Sequence, residues 1–251
     1  MKARYWAGAG LLYLVFLAVS APAGALFWAL NRWGGSSRIL AEEVSGTPWR
    51  GEARQLRITL RNAQPLEIGR VAWHVQWRRL LLGEAAASVA VDGNGPRGVG
   101  AVALSRQGWS VSQFDLSLPA SWLASLRPGL GVWQPGGTIR ISGKEFSAQG
   151  KQFLGQGEVS WEQAALGLSR VRPLGSYQVD LSGEGERVRI QLKTRSGPLE
   201  AQGSGNWSRE GLEFVGGARA RAREAELRTL LGLLGPLQPD GSAAIAIKNT
   251  R

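Results

Sequence analysis

The sequence predicts a mainly β chain: an N-terminal transmembrane helix, then an antiparallel sheet with one covered face, with two short helices added. Three observations carry this. A long charge-free apolar run opens the chain. Apolar and polar residues alternate with period two in many later segments. Glycine-rich clusters punctuate those segments at hairpin spacing.

The apolar run comes first. No charge occurs from Tyr5 to Asn31, between Arg4 and Arg32. The stretch exceeds the roughly 20 apolar residues a membrane-spanning helix needs, and a lone segment in lipid satisfies its backbone only as a helix. Pro22 is expected to kink it, and Trp6, Trp28 and Trp33 fall near its ends, where indoles favour the headgroup region. Lys2 and Arg4 precede it, which favours a cytoplasmic start and export of the bulk. The organisation read from this is a short cytoplasmic 1–6, an anchor at 7–31 and a β-rich 32–251. A cleaved signal peptide is the competing reading, since Ala23-Gly24-Ala25 fits a small-x-small site. The apolar run continues past that site through Leu26, Phe27, Trp28 and Leu30, which favours the uncleaved anchor.

Residues 32–251 suffice for one large β domain or two small ones. Leu56, Ile58 and Leu60 alternate with Arg57, Thr59 and Arg61, and Val71, Trp73, Val75 and Trp77 with Ala72, His74 and Gln76. Val89 and Val91 end a similar run, Tyr177, Val179 and Leu181 face Val188, Ile190 and Leu192 across a Ser182–Arg187 turn, and Ile245–Ile247 closes the series. One apolar and one polar face per strand is the mark of an antiparallel sheet covered on one side. The 35 glycines are read as lying mostly between strands, as in DGNG at 92–95, PGG at 135–137 and SREG at 208–211. Helices are expected at Pro119–Arg127 and around Leu227, Leu230, Leu231 and Leu234, the latter stopped by Gly235-Pro236. That leucine stripe packs on the sheet or marks a lipid or partner surface. Gly46–Ala53 weakly echoes Gly203–Trp207, consistent with two similar β units.

The chemistry is sparse. The absence of cysteine excludes disulfides, thiolate zinc sites and a cysteine nucleophile. His74 is the single histidine and has no Ser-His-Asp context. No cofactor or metal motif occurs in its required setting, and DGNG carries too few carboxylates for a calcium loop. Glu42/Glu43 follows the anchor, and Glu184/Glu186 sits in an expected turn and reads as solvated. The net charge of +11 invites an acidic partner, but the basic residues alternate along strands (Arg54, Arg57, Arg61; Arg187, Arg189) rather than forming one aromatic-laced block, which argues against nucleic acid. Eleven tryptophans remain. Trp73 and Trp77 read as core or groove lining, whereas Trp49, Trp109, Trp133, Trp161 and Trp207 sit beside turns or strand ends. The candidate partner or groove contacts are therefore Trp49, Trp73, Trp77, Trp207, Leu227, Leu230, Leu231 and Leu234.

Taken in order, several segments resemble one family: GTPWRGEA at 46–53, VAWHVQW at 71–77, FDLSLPASWLA at 114–124, the GGTIRIS stretch closing at Ser142, GEVSWEQA at 157–164, PLGSY at 173–177, GPL at 197–199 leading into GSGNW, and LRTLLGLLGPLQPDG at 227–241. With the basic N-terminus and anchor, this pattern is similar to type II secretion system protein N. The resemblance implies a single-pass inner-membrane protein of a Gram-negative bacterium with its bulk in the periplasm, an accessory part of the machine that exports folded proteins. It implies the secretin and inner-membrane platform components as partners, and a curved antiparallel sheet like that of AsmA-like proteins, a groove or a sandwich. It carries no catalytic residues. A lipid-handling module with an apolar groove is the alternative, and a carboxylate hydrolase a third.

Overall fold

In the computed structural model, residues 20–33, 38–59, 65–126 and 128–250 are described. Most of the expected anchor, up to Val19, lies outside them. Its final part is helical, α1 (Ala23–Trp33), beginning directly after Pro22. Among the described residues no helix is long and apolar enough to cross a membrane.

Everything after α1 is organised by one sheet. Its strands are β1 (Arg38–Gly46), β2 (Arg50–Thr59), β3 (Leu66–Val75), β4 (Glu84–Asp92), β5 (Arg97–Ser105), β6 (Gly108–Pro119), β7 (Gly136–Gln149), β8 (Gln152–Ala165), β9 (Gly175–Gly185), β10 (Arg187–Ser196), β11 (Leu199–Ser208), β12 (Gly211–Ala220) and β13 (Ala243–Thr250). Their spatial order is their chain order, every pair is antiparallel, and the sheet is open, with β1 and β13 as edges. No second sheet packs on it among the described residues, so the sandwich alternative gives way to a single layer.

The alternation read from the sequence survives as register. Val71 pairs with Val91 and Trp73 with Val89; Tyr177 pairs with Thr194, Val179 with Leu192 and Leu181 with Ile190. Followed across all pairings, one face carries Trp73, Val89, Val102, Val111, Ile141, Val159, Val179, Leu192 and Phe214, and the other is mostly serines, glutamines and charged residues, with Val99, Leu154 and Val215 exposed among them. The two segments that echo each other occupy unlike places: Gly46–Ala53 is the β1–β2 turn with the start of β2, whereas Gly203–Trp207 lies inside β11.

Two expectations are corrected. The strand expected to include Trp77 ends at Val75: the Gln76 amide still bonds the Ala86 carbonyl (2.8 Å), the last rung toward β4, and Trp77 then opens a one-turn helix, α2 (Trp77–Leu80). Many glycines are not in turns. Gly143 and Gly203 sit within β7 and β11, where Phe114 and Phe214 lie across them: a Cβ there would meet the rings at 2.4 and 2.5 Å. Bare backbone is what lets an aromatic ring lie flat on the sheet.

The two expected short helices form, trimmed. α3 (Trp122–Leu126) follows Pro119, which instead ends β6, and a 3-10 turn (Pro128–Trp133) continues it. α4 (Glu224–Leu234) has Glu224 and Glu226 in its first turn, favourable to its dipole, and ends at Gly235. All three fold over the apolar face at one rim of the sheet. There Leu227, Leu230 and Leu231 pack with Leu199, Ala218, Ala243, Val171 and Leu174, while Trp122 and Leu123 pack on Leu118, Ala120 and Ile139. We call this the helical rim. The opposite rim consists mostly of short turns and is called the hairpin rim.

The strands bend at bulges. Glu43, Gln55, Gln113 and Gln163 all have φ of 49°, and each lies where pairing slips by one residue. These are bulges of the kind that normally use glycine for a left-handed residue.

Two outcomes follow. Gln163→Gly relieves a left-handed side chain at an exposed site and raises unfolding free energy by about 1 kcal/mol, read by urea denaturation. Leu227→Ala empties a fully buried position and lowers it by about 2–5 kcal/mol in the same assay.

Candidate interaction surface

The helical rim is closed; the rest of the apolar face is not. Toward the hairpin rim the register lines up Leu104 with Trp109, Trp109 with Ala148, Ala148 with Phe153, and Val188 with Trp207. Ala148, Phe153 and Val188 form a small buried cluster with Phe146 and Leu181. Its roof is aromatic: Trp109 stacks on Phe146 (centroids 6.2 Å, 28° between planes), and Trp207 tilts over Phe153 (5.1 Å, 59°). Trp109 and Trp207 nonetheless keep 44% and 41% of their surface open to solvent. Apolar rings held rigidly by neighbours yet exposed at the top are suited to contact rather than to folding.

The sheet's two edges differ. The β1–β2 ladder slips on both sides of Glu42, β1 carries a bulge at the left-handed Glu43, and α1 lies beside it, tied by reciprocal bonds between the Asn31 side chain and the Ile39 backbone (2.7 and 2.8 Å). Such devices blunt an edge. β13 pairs with β12 over eight consecutive positions, Ala218↔Ala243 to Gly211↔Thr250, with no slip and no proline. Among the described residues it has β12 on one side; on the other, the preceding segment covers only its start, where Leu237 bridges Ala243 and the Ala244 amide donates to the Pro236 carbonyl (3.1 Å).

The polar face is laced with cross-strand ion pairs. Arg140 reaches Asp115 with two bonds (2.7 and 2.5 Å), Lys193 reaches Asp180 (2.7 Å), Arg195 reaches Glu158 (3.1 Å) and Lys248 reaches Glu213 (3.1 Å). Glu52 binds Arg70 and Arg54, and Glu200 binds Arg219 and Arg221. The basic alternation is thus partly neutralised in place. Bonds from Arg221 and then Arg219 hold Glu200 at about 2, and those from Arg70 and Arg140 hold Glu52 and Asp115 below the usual carboxylate range. Burial pushes Asp180 up, but Lys193 and Gln178 outweigh it and the net shift is down. Burial alone raises Tyr177, whose hydroxyl donates to the Leu199 carbonyl (2.9 Å).

Two hollows open on this polar face, of about 680 Å³ beside Glu52, His74, Ser88 and Gln113, and about 850 Å³ beside Ser142, Glu158 and Asp180. Small apolar residues, among them Ala72, Ala90, Val99 and Ala101, share the lining of the first, and polar side chains dominate the named lining of the second. In the first, the Ser88 hydroxyl donates to the backbone carbonyl of His74 (3.4 Å), not to its imidazole, so no nucleophile–base pair forms. Every displaced carboxylate among the described residues is displaced downward, the opposite of a general acid held protonated. Among the described residues no three His, Asp or Glu side chains gather to hold a metal.

The eight residues singled out in the sequence scatter. Trp207 lies on the open aromatic patch. Trp49 is half-buried in the β1–β2 turn, where its carbonyl accepts from Val75 (2.7 Å). Trp73 is half-buried, donates to the Pro48 carbonyl (3.1 Å) and meets Phe27 edge-on (5.8 Å). Trp77 projects from the hairpin rim. Leu227, Leu230 and Leu231 are buried under α4 with Leu234 beside them, so the stripe packs on the sheet. Trp109 and the β13 edge were missed as surface; only the turn beside Trp109 hinted at it.

A family model of type II secretion system protein N matches residues 37–248, which takes in almost the whole sheet. The chain belongs to this family. No curated protein and no solved structure matches it. Type II secretion is therefore the context for these surfaces, and the chain is an accessory component of that machinery.

The Glu200 cluster gives a pH test. Its carboxyl titrates near 4.5 when free and about 2 when folded, so its stabilisation is complete above pH 4.5 and is lost as pH falls toward 2. Glu200→Gln has a lower Tm than the parent at pH 7, and the two curves converge between pH 4.5 and 2.

Proposed function

We propose that the chain is a non-catalytic scaffold of the type II secretion machine, tethered to the inner membrane by the apolar segment before α1, with its sheet in the periplasm contacting the secretin and inner-membrane platform components. The observation that carries this reading is the family match over residues 37–248. The geometry supports it in kind. An unblunted edge strand accepts an extended segment by main-chain hydrogen bonding, and side chains of alternate residues supply specificity. The roof of Trp109 and Trp207 supplies the large rigid rings that dominate protein contacts. Open rings in a row are also what a lipid-handling sheet would offer, and reproducible lipid on the purified chain in native mass spectrometry would favour that second reading.

The test is genetic and chemical together. A deletion strain accumulates folded exoproteins in the periplasm while their arrival there is unchanged. A photo-crosslinker at Ile247 on β13, or at Trp207, captures secretin or platform components, whereas one at Glu43 on the blunted edge does not. Normal secretion by the deletion strain, or equal capture at all three positions, would overturn the proposal.

A further inference from the structure

The hairpin rim carries one feature that neither the core nor the aromatic patch uses. Between β3 and β4 the chain runs Trp77-Arg78-Arg79-Leu80-Leu81-Leu82-Gly83. α2 buries none of its residues. Trp77 is 55% exposed, Leu81 79% and Leu82 84%, and Leu80 is exposed as well. Single exposed leucines are ordinary, but four large apolar side chains within six residues at a projecting tip are not. The Arg78 guanidinium lies 5.6 Å over the Trp77 ring, and Arg79 pairs with Glu84 at 3.4 Å, so both cations are held at the base of the apolar cluster.

Leucines at the tip with tryptophan and arginine behind them match the layering of a membrane surface. Hydrocarbon takes the leucines, indole rings prefer the headgroup level, and arginines meet anionic phosphates. Position points the same way. Asn31 of α1 is bonded to Ile39 near the start of β1, while Phe27, one turn earlier, touches Trp73, two residues before β3 ends. Followed backward, α1 therefore climbs from the start of β1 toward the hairpin rim. The start of α1 is directed to the side of the sheet where the tip stands.

We propose that the Trp77–Leu82 tip is a second membrane contact, seating its leucines in the lipid surface beside the anchor with Arg78 and Arg79 at anionic headgroups. This rests on the anchor reading above. The pair of contacts would fix the tilt of the sheet relative to the membrane, which a single point of attachment cannot do.

The absence of cysteine makes the test direct. The full-length chain carrying Leu82→Cys, labelled with an environment-sensitive nitrobenzoxadiazole dye, is placed in nanodiscs of phosphatidylethanolamine and phosphatidylglycerol. Asn94→Cys, in the exposed β4–β5 turn at the other rim, is the control. The expected result is blue-shifted emission at position 82 that doxyl-labelled lipid quenches, with neither effect at 94. Aqueous emission at 82, or a blue shift that doxyl lipid leaves untouched because a protein surface covers the tip, overturns the proposal. Failure of the anchor is read separately, as release of the chain by alkaline carbonate. The tip is then decided on phosphatidylglycerol vesicles. Flotation lost in the Leu81→Asp/Leu82→Asp variant upholds it, and flotation absent in the parent or unchanged in the variant overturns it.

Discussion

The rest of the structure depends on how a single-layered sheet satisfies an apolar face that nothing covers from end to end. Burial is concentrated where loops can reach. Leu118, Ile139, Tyr177, Leu199, Ala218 and Ala243 all lie toward the helical rim, and α3, α4 and the Leu166–Leu174 connection fold onto them. The buried residues of that connection are hydrogen-bonded: the Leu174 amide donates to Ala164 (2.7 Å), its carbonyl accepts from Leu199 (3.0 Å), and the Ser169 hydroxyl accepts from Val171 (3.1 Å). Away from this rim, stability falls to the ladders and to side chains packed sideways on their own face. Phe114 over Gly143 and Phe214 over Gly203 show the means: rings lie down on bare backbone and shield both.

A meander suits this solution. Each interior strand is held by its two neighbours in sequence, so its contacts are local and the sheet can grow one hairpin at a time. Bulges adjust its course. The left-handed residues Glu43, Gln55, Gln113 and Gln163 stand where one strand carries an extra residue, and bulges of this kind bend and twist the strand that holds them. The backbone strain at these positions is tolerated because the flanking pairs on either side are in register and fix the geometry.

Legibility followed periodicity. The β3 run Val71–Val75 and the β9–β10 hairpin were plain because alternation is the direct imprint of a two-faced strand. Leu227, Leu230 and Leu231 were plain for the same reason at helical spacing. Trp77 misled because it keeps the beat of Val71, Trp73 and Val75 after the backbone has left the ladder, and a four-residue helix without a side-chain cap leaves no mark. The bulges were invisible because glutamine is not a residue that announces positive φ. Glycine was misread in the other direction, since its composition looks the same in a hairpin as beneath a phenylalanine. Of the exposed roof, Trp207 was singled out and Trp109 was not, because burial of an aromatic residue depends on whether a second layer exists, and that is a tertiary fact.

The two edges and two rims together give the sheet a direction. α1 accompanies β1, so a tether preceding α1 attaches at the blunted end. The unblunted strand β13 is twelve strand intervals away, a contour of about 58 Å at ~4.8 Å per interval. A partner pairing with β13 therefore sits far along the sheet from the tether, and the hydrogen-bonded ladder between them resists stretching along that axis. The polar face adds to this stiffness, since Asp115–Arg140, Glu158–Arg195, Glu213–Lys248 and the Glu200 cluster each clamp different strands across the same direction. Exposed ion pairs contribute little stability singly, so their value here is in holding register where no second layer does so. On the proposed scaffold role, a sheet with one blunted edge, one open edge and its core at one rim would hold tether and partner apart at a distance set by its own ladder.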